Sequence, residues 1–226
     1  ADVAGHGDTV AAVSGETLVV GASWDDTVTG ANAGSAYVFT RSGGVWSLQQ
    51  QLTPSDPAAG DRFANAVAIS GDTVVVGDSQ DNSPGADAGS TYVFTRSGTT
   101  WTQQQKLTAA DGTAGDNFGN SVALSGETVL IGAYLDSPGG VQGQGSAYVY
   151  TRSGSTWTEQ AKLVASDAIA NDTMVYFGSS VALDGDTALI GAPYDNNSLG
   201  TDAGGAYVYT RSGSTWSERV KLTAGT

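Results

Sequence analysis

Ala147-Tyr148-Val149-Tyr150-Thr151-Arg152-Ser153-Gly154, followed three residues later by Trp157, is written four times into this chain. The other copies are residues 36–43, 91–98 and 206–213, with Trp46, Trp101 and Trp216 behind them, so the tryptophans are spaced by 55, 56 and 59 residues. Self-similarity at that period, in text that holds only strand-like segments, marks a radial or linear array of β units. Within the copy, Ala147, Val149 and Thr151 alternate with Tyr148, Tyr150 and Arg152, a period of two that turns the two sets to opposite faces of a strand.

Upstream of this strand, residues 118–124 read as another, and Ser125-Gly126 before Glu127 reads as a tight hairpin turn, with counterparts at Gly15, Gly71 and Gly185. Thr128-Val129-Leu130-Ile131-Gly132-Ala133 is apolar on both faces, as suits a middle strand covered from two sides. A polar loop, residues 134–144, separates it from the Tyr-Val-Tyr strand. Downstream, Ser153-Gly154-Ser155 turns the chain into residues 157–163, where Gln160 and Lys162 suit an outer edge because lysine there discourages pairing with a foreign sheet. Four strands in meander order with no helical period predict an all-β fold, a β-propeller of four-stranded antiparallel blades. The chain, 1–226, then holds one array of four blades, at about 1–53, 54–108, 109–164 and 165–226. A β-solenoid is the alternative, although its coils are usually shorter than this repeat. Three closures stay open: four blades alone, a larger ring completed by a second chain as a homodimer, or one completed by further repeats.

Glycine is abundant at 32 residues and apolar residues make up 39%, enough for a core with plentiful turns. The formal charge of −14 argues against nucleic acid as a partner, since a phosphate backbone needs clustered basic residues. Cysteine is absent, which removes disulfides and thiolate metal sites. No apolar run is long enough to span a membrane, and no signal peptide stands at the start of the chain as given.

Phe118-Gly119-Asn120-Ser121-Val122-Ala123 and Gly191-Ala192-Pro193-Tyr194-Asp195, with the Gly-Ala-Tyr-Val-Tyr that follows, resemble the FG-GAP repeat of integrin α-subunit propellers and of many bacterial surface and secreted proteins. The resemblance covers nearly the whole chain. In particular it is similar to the bacterial variant in which each repeat ends Trp…Gln…Lys-Leu-Thr and leads into the next through an Asp…Gly-Asp-x-Phe linker. Phe63, Phe118 and Phe177 keep the linker phenylalanine; the first repeat shows Gly5-His6-Gly7 instead, and the second replaces the usual words with Phe63-Ala64 and Gly77-Asp78-Ser79. Integrin-type repeats hold calcium in a DxDxDG loop between strands one and two. Here that loop shrinks to a two-residue hairpin, so the family's calcium sites are not carried over.

The acids of these hairpins, Glu16, Asp72, Glu127 and Asp186, share an end of the blade with the arginines closing strand three, Arg41, Arg96, Arg152 and Arg211. Four repeated ion pairs are predicted, each worth roughly 0–1 kcal/mol. The opposite end collects the two-to-three loops and the four-to-one linkers with Asp25, Asp26, Asp81, Asp87, Asp136, Asp195 and Asp202, and Asp56, Asp61, Asp111, Asp116, Asp167 and Asp172. Such a face attracts cations or polar ligands; Asp111, Asp116 and Asp136 are the candidates for a calcium between loop and linker. Loop aspartates also simply bond to nearby backbone, and that reading stands beside the first.

The repeated tryptophans read as packing between blades. Trp24, Tyr134 and Tyr194 instead fall in the variable two-to-three loops, where a rigid scaffold usually carries its binding residues, and with Asp25, Asp81, Asp136 and Asp195 they form the expected ligand contacts. Catalysis has no constellation to rest on: His6 is the only histidine, and acids repeated in every blade do not single out a pair. The expected function is a non-enzymatic extracellular or cell-surface recognition or adhesion module that uses the acidic loop face toward a protein or carbohydrate ligand. A carbohydrate-binding lectin and a structural spacer of a larger surface protein or assembly are the alternatives.

Overall fold

A computed structural model of the chain describes residues 9–82, 84–167, 174–197 and 200–223. The first blade is β1 (Thr9–Ser14), β2 (Thr17–Ala22), β3 (Ser35–Ser42) and β4 (Val45–Leu52). The second is β5 (Ala66–Ser70), β6 (Thr73–Asp78), β7 (Ser90–Ser97) and β8 (Thr100–Leu107). The third is β9 (Ser121–Ser125), β10 (Thr128–Ala133), β11 (Ser146–Ser153) and β12 (Thr156–Leu163), and the fourth is β13 (Ser180–Asp184), β14 (Thr187–Ala192), β15 (Gly205–Ser212) and β16 (Thr215–Leu222). Each is a separate antiparallel meander whose strands pair in chain order.

The hairpins form where the sequence places them. Gly15, Gly71, Gly126 and Gly185 all take φ of 54–57°, the left-handed region that glycine enters without a Cβ penalty. Opposite this, the strand-three arginines fold back on the turn acids. Arg41 forks onto Glu16, with Nε and Nη2 at 2.5 and 2.8 Å. Arg96 meets Asp72, Arg152 meets Glu127, and Arg211 meets Asp186. The four expected corner pairs are therefore present.

Blades stack through three seams built alike. Tyr148, Tyr150 and Trp157 face the second blade with Val129 and Ile131, against Val75, Val93 and Leu107. Val149 and Leu130 face the fourth, against Ile190, Tyr207, Tyr209 and Trp216. The linker phenylalanine is laid into each seam: Phe118 meets the Tyr148 ring edge-on, with centroids 5.4 Å apart, and Phe63 and Phe177 repeat this against Tyr92 and Tyr207. The backbones touch closely here; a methyl group at Gly132 would lie 2.0 Å from the carbonyl oxygen of Gly178.

A β-bulge recurs between strands three and four of every blade and leaves Gln49, Gln104, Gln160 and Arg219 without a cross-strand partner. The bulge re-aims the glutamines at the next blade. Gln49, Gln104 and Gln160 each accept the indole N–H of Trp101, Trp157 or Trp216 at 2.9 Å. One residue on, Gln50 and Gln105 pair their side-chain amides with the backbone N–H and C=O of Trp101 and Trp157 at 2.7–2.9 Å. At the third seam Ala161 stands in that place.

The first strands line up across the seams, β1 on β5, β5 on β9 and β9 on β13, and among the described residues β1 and β13 make no contact of that extent. Burial reports the same opening. β6 and β10, in the two middle blades, are buried along their whole length, whereas β2 and β14 alternate between buried and accessible residues. Among the described residues the four blades thus stand as an array in which the first and fourth blades lack the seam that joins the others.

Candidate functional site

The linkers and two-to-three loops share one end of the array, and lysine organises it. Lys162 Nζ sits 2.7 Å from Asp111 of the linker and 2.6 Å from Asp136 of the loop, while the Tyr148 hydroxyl donates to both carboxylates. Lys106 with Asp56, Asp81 and Tyr92 repeats the cluster, as does Lys221 with Asp167, Asp195 and Tyr207. Burial would raise Asp111, but Lys162 and Tyr148 outweigh it and hold the carboxyl below its usual range; Asp56 and Asp167 behave alike. These lysines were read from sequence as edge residues facing solvent. Their side chains are instead only 19–24% exposed, because each reaches inward to clasp a linker to its blade.

Asp81, Asp111, Asp136 and Asp195 therefore converge on ammonium groups. Asp116 turns to its own loop, accepting from the Thr113 N–H at 2.5 Å, and burial raises its carboxyl. Asp25 receives the Tyr37 hydroxyl at 2.8 Å in a first-blade version of the cluster where Gln51 replaces the lysine. Among the described residues no three acids come together to hold a metal ion. The hairpin turns, where the family resemblance would place calcium, each offer one acid already joined to an arginine, and only the fourth adds a second, Asp184. His6 and Asp172 lie outside the described residues.

The aromatic candidates do better at finding one another. Trp24 and Tyr134 line a single groove across the first three blades, together with Arg62, Gln80, Asn117 and Asn120. Tyr194 is 49% exposed in the fourth blade and is tied to Tyr134 through Tyr176, which lies edge-on to both rings at 5.3 and 5.4 Å. Asn65 and Asn120 build the groove wall: Asn65 donates to the Gly119 and Asn120 carbonyls and accepts from the Ser79 N–H, and Asn120 donates to Ser179. The Arg62 guanidinium lies 3.8 Å over the Trp24 ring, and among the described residues its side chain has neither a hydrogen bond nor an ion pair.

Sequence reading missed Arg62, Asn117 and Tyr176, and the three share a position. Each precedes a linker phenylalanine and takes a left-handed φ, at 61°, 56° and 57°. That conformation is uncommon for arginine and tyrosine and is tolerated where surrounding structure holds it. Here the next residue is the phenylalanine locked in the seam, and the backbone N–H groups of Arg62, Asn117 and Tyr176 are bound by Asn32, Asp87 and Gly143 carbonyls at 3.0–3.1 Å. The available signal was a position that varies as Arg, Asn, Tyr before a fixed phenylalanine.

The family model described as FG-GAP repeat matches residues 2–39, 46–94, 101–150 and 157–209. The second, third and fourth matches each run from strand four of one blade to strand three of the next, so the matched unit contains a seam. No curated protein matches the chain. Among the described residues no helix is long and apolar enough to cross a membrane.

Proposed function

We propose that this chain, which belongs to the FG-GAP repeat family of β-propeller modules, is a non-enzymatic extracellular recognition or adhesion module that takes its ligand in the Trp24–Tyr134 groove. The observation that carries the reading is the groove itself: two aromatic faces and a side-chain amide, Trp24, Tyr134 and Gln80, on the two-to-three loops, with the Arg62 guanidinium on a linker whose backbone is pinned at the seam. A concave aromatic surface with a few convergent polar groups on a rigid scaffold is what recognition of a polar ligand requires. The acidic face contributes differently from the sequence expectation, because its lysine-clasped carboxylates hold the loops in register and the contact groups stand between them.

A carbohydrate ligand is the second reading, favoured by the pairing of aromatic rings with amide groups, which suits sugar faces and hydroxyls respectively. A glycan array run beside immobilised matrix proteins tests both. Binding that weakens tenfold or more in Trp24→Ala and in Tyr134→Ala supports the groove. Full binding retained by both variants places the contact surface elsewhere.

A further inference from the structure

The two ends of the array expose opposite halves of the seam that joins its blades. On the first blade, Val13, Phe39 and Trp46 occupy the positions of Ile69, Phe94 and Trp101, which face backward into the first seam; Val13 is 63% and Trp46 39% exposed, against 2% for Trp101. On the fourth blade, Leu189, Val220 and Leu222 occupy the forward-facing positions and are 39–49% exposed. Both faces are apolar, as faces that pack against another blade are.

We propose that a second copy of this chain covers both ends at once, its first blade docking on the fourth blade here and its fourth blade on the first, to close a two-chain ring of eight blades. The seams inside the chain supply the template. In each, an arginine reaches back to a threonine: Arg96 to Thr17, Arg152 to Thr73 and Arg211 to Thr128, at 3.0–3.1 Å. The two unused members are Arg41 at one end and Thr187 at the other, and the Arg41 side chain is 44% exposed where its three counterparts are 16–21%. Likewise Ser14 and Ser125 accept the turn N–H groups of Gly71 and Gly185; Gly15 presents the unused donor, and Asp184 stands in the acceptor's place. A groove beside Gly191, lined by Val181, Ala182 and Leu189, is where the lead-in carbonyl of the following blade sits at Gly21, Gly77 and Gly132.

Gln51 identifies the occupant. At the internal seams Lys106, Lys162 and Lys221 clasp the aspartate of the linker that arrives from the previous blade. The first blade has glutamine there, so its seam is fitted for a neighbour that comes without that linker, as a second chain does. Two further elements of the template differ: Arg219 replaces the glutamine that accepts the tryptophan N–H and turns back to Thr210, and Val220 stands where Gln50 and Gln105 clamp the tryptophan backbone. Trp46 thereby lacks an acceptor at the inter-chain seam, which is the weakest of the set and remains reversible.

Sedimentation equilibrium of the full chain tests this. The expected mass is twice 22.8 kDa, with dissociation on dilution. Val13→Asp and Leu189→Asp, both at exposed sites, are each expected to give monomer with unchanged circular dichroism, and Leu222→Asp serves as a second forward-face variant. Arg219→Gln is expected to lower the dissociation constant about tenfold or more, since one acceptor is restored at each of two seams. A monomer at every concentration overturns the proposal. So does a ladder of masses beyond the dimer, which means the contact does not close, or a dimer broken at only one of the two faces, which means like faces stick to each other.

Discussion

Replacing Asp78 by asparagine is expected to change how stability depends on pH, and the size follows from its surroundings. Asp78 ends β6 where Ala22, Ala133 and Ala192 end the matching strands; it is fully buried, and among the described residues neither carboxylate oxygen has a hydrogen-bond partner. Burial first, then Asp81 and Asp61, push its pKa from 3.8 up to about 9, against a smaller pull from Lys106 and a further push from Asp56. The folded chain therefore keeps a proton that the unfolded chain loses. Stability contributed by the neutral carboxyl is complete below about pH 4 and drains away as pH rises toward 9. Between 3.8 and pH 7 lie about three units, each worth about 1.4 kcal/mol, so the loss at neutrality approaches about 4 kcal/mol. The asparagine side chain of the variant has no proton to lose. Urea denaturation at pH 4.5, 6, 7 and 8 and fixed protein concentration should show the gap between Asp78→Asn and the natural chain widening steadily with pH. Parallel curves, offset by a constant amount, would mean that Asp78 is ionised in the fold and that burial does not hold its proton.

Three further outcomes follow from the seams and the lysine clusters. Gln105→Ala removes both bonds to the Trp157 backbone and is expected to cost about 1–3 kcal/mol in denaturant titration, while Ala161→Gln, at the seam that lacks this clamp, should stabilise the fold. Lys162→Met leaves the buried Asp136 and its neighbour Asp111 without their cation and is expected to cost about 2–4 kcal/mol at pH 7. That cost should shrink on acidification, because Asp111 is held below its usual range by Lys162 and Tyr148, so its contribution is present above about pH 4 and lost as pH falls through the lowered value. Glu127→Ala, which removes the exposed acid of a corner pair, should cost about 1 kcal/mol or less by the same titration.

The sequence carried the blade because its information was local and repeated. Alternation placed Val149 and Tyr150 on opposite faces, the Ser-Gly words placed the hairpins, and the turn acids met Arg41, Arg96, Arg152 and Arg211 because a meander brings those ends together. The seam was harder to read, since Gln104 and Gln105 act on Trp157 from more than fifty residues away and only after a bulge has turned one of them. The lysines misled for a related reason: an edge strand in sequence gives no sign that Lys162 finds its carboxylates on a linker and a loop that fold over it. At the site, Trp24 and Tyr134 were visible as aromatics in variable loops. Arg62, Asn117 and Tyr176 were not, because nothing in an arginine or a tyrosine announces a positive φ; the phenylalanine that follows each one imposes it.

Recognition in the Trp24–Tyr134 groove, and not at the hairpin corners, is open to a decisive measurement. A ligand selected by the binding arrays is titrated into ¹⁵N-labelled protein, where each of the five tryptophans reports separately through its indole N–H. The Trp24 indole and the Gln80 side-chain amide are expected to shift, while the indoles of Trp101, Trp157 and Trp216, held in their seams, stay in place. A saturating ligand that leaves Trp24 and Gln80 unmoved, and instead shifts signals around Gly71, Gly126 and Arg152, would show that the groove is not the binding site.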